Sequence, residues 1–127
     1  MKQGNVLFAV TTGMFMAGFL VTSPALAGCD VSSEPFFMHK NDKTSHQIKT
    51  DGKGCDLNFS TDSKTIFRSA TIVSKPTSGK LVKVALLDFA YHPKPGFKGR
   101  DAFSMRVCGS SPAGKGCSLL NYTADVD

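Results

Sequence analysis

"YHPKPGFKGRDAF", residues 91–103, sets two prolines and two glycines among three rings, Tyr91, Phe97 and Phe103. Its ionisable side chains, His92, Lys94, Lys98, Arg100 and Asp101, invite a catalytic reading. The backbone chemistry favours a turn. Tyr91 closes an alternation begun by Leu87 and Phe89, and a period of two is what a strand with one buried face requires. Pro93 has no N–H to give to a ladder, so the strand must end there. Pro95-Gly96 suits the central pair of a type II turn, in which proline presets φ and glycine takes the left-handed position. Gly99 permits a second reversal, and Asp101 can accept hydrogen bonds from loop N–H groups. Phe97 is expected to fold back onto a core, and Phe103 to open the next inward-facing series.

Outward from this stretch the same grammar continues. Met105 and Val107 extend the Phe103 series, and Leu120, Tyr122, Ala124 and Val126 alternate with polar neighbours. Ile66 to Ser74 is the longest β-branched stretch, followed by the turn KPTSG (75–79) and a run from Leu81 to Val84. Ser45 to Thr50 and Cys55 to Ser60 read as short strands on either side of DGKG, 51–54, where glycine accepts positive φ. Val31 to Met38 reads as a first strand with Phe36 and Phe37 on opposite faces, and HKNDKTS (39–45) as a turn. No useful helical period occurs. The expectation is an all-β body of seven or eight strands, with Ile72, Leu81, Phe89, Tyr91, Phe97, Phe103, Met105, Tyr122 and Ala124 in its core.

The pattern Tyr91-x-Pro93-x-Pro95-Gly96-Phe97-x-Gly99-x-Asp101-x-Phe103 resembles the motif of bacterial immunoglobulin-like domains of the cadherin-like kind. IVSKPTSGKL, 72–81, resembles the strand-turn-strand that precedes the motif in such domains. The resemblance implies an immunoglobulin-like antiparallel β-sandwich of about seven strands. It implies no particular activity, because one fold hosts many functions. The acidic linker of calcium-binding cadherins is missing, so no metal or other cofactor is expected.

The chain has 127 residues, which argues for one domain. Lys2, the apolar run Val6 to Val21, the break at Ser23-Pro24 and the small residues Ala25-Leu26-Ala27 form the layout of a secretory signal peptide. The expected division is therefore a cleaved 1–27 and a domain over 28–127. Its 15 basic and 10 acidic residues are scattered rather than grouped. Such scatter reads first as solvated strand faces, with weak attraction to an anionic surface as the alternative. No basic stripe with aromatics marks a nucleic-acid partner.

Four cysteines, Cys29, Cys55, Cys108 and Cys117, make an even count in a small exported chain, which reads as two disulfides. Three pairings are open, and local spacing favours Cys29–Cys55 with Cys108–Cys117. There is no CxxC and no paired histidine, so zinc is not expected. Leu26-Ala27-Gly28-Cys29 also resembles the box at which bacterial lipoproteins are cut and acylated. Acylation would give Cys29 a membrane anchor and leave three thiols, one of them spare. Cysteine parity favours the disulfide.

Two places are candidates for function. Ser104, His92 and Asp101 contain the elements of a hydrolase, but nothing in the sequence positions them, and no catalysis is expected. The second place is CGSSPAGKGC, 108–117. If its cysteines pair, the loop 109–116 is preorganised and loses less entropy on binding. Ser110, Ser111 and Lys115 are its candidate contact residues. The chain thus reads as an exported module with a binding or structural role, meeting a protein or polysaccharide at the cell envelope. The alternative is a secreted inhibitor or effector acting through 109–116.

Overall fold

The computed structural model describes residues 28–127, so the expected signal peptide lies outside the described residues. Eight strands form: β1 (Cys29–Ser33), β2 (Lys43–Thr50), β3 (Cys55–Asn58), β4 (Ile66–Ser74), β5 (Gly79–Ala85), β6 (Asp88–Pro93), β7 (Gly99–Ser111) and β8 (Gly114–Val126). They make a five-stranded sheet, β1-β2-β8-β7-β4, and a three-stranded sheet, β3-β6-β5. The expected antiparallel arrangement holds for every pair but one: β2 runs parallel to β8, with His46 opposite Tyr122 and Ile48 opposite Ala124.

Alternation explains which faces meet. Ser118, Leu120, Tyr122, Ala124 and Val126 of β8 are buried, as are Thr44, His46, Ile48 and Thr50 of β2. Their intervening neighbours face away from the core. Leu57, Phe89 and Tyr91 of the smaller sheet join Phe103, Met105 and Val107 of the larger in one cluster. Tyr91 and Phe103 stack across the two sheets with centroids 5.4 Å apart, and Phe103 stacks on Tyr122 at 4.9 Å.

The motif turn takes the expected form. Phe97 N–H donates to the Lys94 carbonyl at 2.9 Å, with Gly96 at φ 80°, the left-handed position of a type II turn. Strand β6 ends at Pro93.

Three expectations need correction. Ile72, Leu81 and Phe97 only pack partly against the core. Ile72 and Leu81 lie on β4 and β5, the edge strands of their sheets, where one flank has no neighbour. Phe97 sits in a turn, close to Gly99, where an added Cβ would come within 3.5 Å of the ring. The first strand is Cys29–Ser33 and does not extend to Met38, because Pro35 cannot donate to a ladder. Phe36 and Phe37 therefore do not occupy opposite faces of a strand. Phe36 packs inward, and Phe37 stays 49% exposed just before a 3-10 turn over Met38–Lys40.

Two truncations separate the core from its rim. Phe103→Ala should cost about 3–5 kcal/mol of unfolding free energy, as full ring deletions in a core do. Phe97→Ala, half-buried, should cost about half as much. Urea midpoints for the two variants check this, and equal midpoints would contradict the burial order.

Candidate functional site

Of the ionisable side chains in residues 91–103, Asp101, Tyr91 and Arg100 are engaged in internal contacts, while His92, Lys94 and Lys98 are exposed. Asp101 is buried. Its Oδ1 accepts the Thr77 N–H at 3.0 Å, the Ser78 N–H at 3.2 Å and the Ala102 N–H at 2.9 Å. Its Oδ2 accepts the Tyr91 hydroxyl at 2.8 Å. The carboxylate thereby ties β7 to the 75–78 turn and to a ring of the opposite sheet. Burial, and next the Asp101 hydrogen bond, push the Tyr91 phenol well above its ordinary pKa, so it remains a donor.

The remaining members of the imagined triad do not converge. His92 is exposed on the outward side of β6, beside Gly54 of the β2–β3 turn. Ser104 Oγ is 2.7 Å from Ser74 Oγ. Arg100 pairs with Asp125 at 3.0 Å on the surface. No group of three or more His, Cys, Asp or Glu side chains among the described residues is arranged to hold a metal.

Both favoured disulfides are present. Cys29–Cys55 links β1 to β3 with the Cα atoms 5.3 Å apart. These are edge strands of different sheets, so the bond closes one side of the body. A sulfur held in this bond cannot also carry a thioether-linked lipid. No helix among the described residues is long and apolar enough to cross a membrane. Cys108–Cys117 joins directly opposed residues of β7 and β8, with the Cα atoms 4.0 Å apart.

The stapled hairpin is also clamped from below. A Cβ at Gly109 would collide with the Ile66 carbonyl, and one at Gly116 with the Met38 carbonyl. Glycine at these positions allows β4 and the Met38 turn to press against the hairpin. Cys117 N–H donates to Asn41 Oδ1 at 3.0 Å, and Asn41 itself is left-handed at φ 51°. Asp42 accepts the Phe37 N–H at 2.8 Å and also bonds the Ser118 hydroxyl. Of the candidate contact residues, Ser110 and Ser111 are half-buried and Lys115 is exposed at the tip. Ser111 opens onto a cavity of about 390 Å³ shared with Glu34, Phe36, Phe37, Asp62 and Phe67. The sequence offered the loop, but not the segment 34–42 that seats it. The signal for that segment was Asn41-Asp42, two residues suited to left-handed backbone and to capping.

A second feature went unread in the sequence. His46 continues the stack of rings, 4.9 Å from Tyr122 and 5.9 Å from Phe36. Phe36 leads on to Phe67 and Phe59. The imidazole is buried; Nε2 lies 2.7 Å from Thr44 Oγ1, and Nδ1 has no hydrogen-bond partner among the described residues. Burial lowers its pKa from the ordinary 6.5, and the Glu34 charge opposes that shift only in part.

Two outcomes follow. Asp101→Ala should lose about 2–4 kcal/mol, since it orphans turn N–H groups and a buried hydroxyl, whereas Tyr91→Phe should lose about 1 kcal/mol. Chemical denaturation measures both, and a near-neutral Asp101→Ala would refute the role given to the carboxylate. For His46 the folded pKa lies below the unfolded one. Its neutral form therefore carries full stability above about pH 6.5, and that contribution is lost as pH falls below this value. His46→Phe should flatten the acid limb of a stability–pH curve, and superimposable curves would refute this. No protein-family model matches the chain, and no curated protein is similar enough to count as a relative.

Proposed function

We propose that the chain is an exported immunoglobulin-like module with a non-catalytic binding role at the bacterial envelope, and that it meets a protein or polysaccharide through the hairpin end of the body. The observation that carries this reading is the preorganisation of 109–116. The hairpin is stapled by Cys108–Cys117, clamped by Asn41 and Met38, and still exposed at Lys115. A loop that is already ordered keeps more of its contact energy on binding.

Strand order supports the immunoglobulin-like part. Strands β3, β6 and β5 take the places of B, E and D, and β4, β7 and β8 those of C, F and G. The two disulfides support an oxidising compartment. The non-catalytic part is supported by the use of Asp101 and Ser104 in internal hydrogen bonds.

The test replaces Ser110 to Lys115 with a neutral Gly/Ser linker while keeping both cysteines. The parent should co-sediment with the insoluble envelope fraction. The replacement should lose most of that retention at an unchanged melting temperature. Equal retention of both would move the binding surface elsewhere.

A further inference from the structure

The cavity beneath the hairpin tip has a chemistry at odds with the rest of the molecule. The chain carries a formal net charge of +5. Yet the ionisable residues lining this cavity are Glu34, Asp62 and a single histidine, His39, with no lysine or arginine among its walls. Its apolar walls are the rings of Phe36, Phe37 and Phe67. Asp62 is held in place by accepting the Lys64 and Thr65 N–H groups, both at 2.7 Å, and Glu34 by accepting the Ser45 N–H at 2.8 Å. These bonds orient the carboxylates and leave both exposed to solvent. The Phe37 ring already attracts a cation, since Lys40 Nζ lies 5.0 Å from its centroid.

We propose that this cavity receives a basic side chain, arginine before lysine, from an extended segment of a protein partner. The proposal rests on the binding-module reading and names its partner class. A ring face attracts a cation through its quadrupole, and a guanidinium stacks on it better than an ammonium does. A carboxylate offers the pair of oxygens that the N–H fork of a guanidinium matches. The volume of about 390 Å³ is within the range of sites that engulf a side chain or small ligand. An anionic polysaccharide would be repelled by the two carboxylates.

The test uses the disulfide-bonded protein and two probes, acetyl-Gly-Arg-Gly-amide and its citrulline counterpart, which is nearly isosteric and uncharged. Amide shifts in NMR should saturate with the arginine peptide at residues 34, 36–39, 62–65 and 111. Its affinity should exceed that of the citrulline peptide by about fivefold. Asp62→Asn, which keeps an oxygen for the turn, and Glu34→Gln should each remove most of that difference. Lys40→Met should strengthen arginine binding by freeing the ring face. Equal affinity for the two peptides, or shifts confined to other surfaces, would overturn the proposal. If the linker replacement abolishes envelope retention while the two peptides bind alike, the module reading survives and this inference fails. If arginine is preferred but the replacement is still retained, the cavity is real and the hairpin reading fails.

Discussion

A carboxylate buried between two sheets must be satisfied by hydrogen bonds, and the way Asp101 is satisfied organises this molecule. Burial of an unpartnered charge would cost more than a small domain can spare. Asp101 stands on β7 in the five-stranded sheet, takes N–H groups from the connection between β4 and β5, and accepts a hydroxyl from Tyr91 on the other sheet. One residue thus links the two sheets and holds the path of the chain that crosses from one to the other. That crossing joins the edge strands β4 and β5. The opposite pair of edges, β1 and β3, is joined by Cys29–Cys55. Both open sides of the two-layer body are therefore bridged, one by a hydrogen-bonded turn and the other covalently.

Between these two seams lies a run of rings, from Tyr91 through Phe103, Tyr122, His46 and Phe36 to Phe67 and Phe59. The run starts at the Asp101 turn and finishes at the hairpin end. Phe36 and Phe67 serve both the core and the cavity beneath the hairpin. The proposed binding surface is thus built on the core rather than appended to it. Rigidity at the hairpin has two independent sources, the Cys108–Cys117 bond and the Met38–Asp42 segment.

Most strands were legible because their inward positions repeat every second residue, as in Phe103-Met105-Val107 and Leu120-Tyr122-Ala124-Val126. The boundaries of β4 were met at both ends, Ile66 and Ser74. The segment 34–38 was misread because apolar Phe36 and Phe37 look strand-like, while the lone Pro35 between them and β1 decides otherwise. Phe97 was assigned to the core by its chemistry, and its position in a turn left it at the rim. The cavity walls come from residues 33–39 together with Asp62, Thr65, Phe67 and Ser111. They are far apart in the chain, and no local pattern announces that they meet.

The sequence by itself determined most of the strands and the type II turn at Pro95-Gly96. Each of these is governed by side-chain alternation or by backbone freedom within a few residues. Tertiary structure alone decided that β2 lies parallel to β8, that Asp101 reaches Thr77, Ser78 and Tyr91, and that Phe37 stays exposed beside Asp62 and Ser111. Those outcomes depend on which distant surfaces gain most by excluding water together, a competition that no short stretch of chain can settle alone.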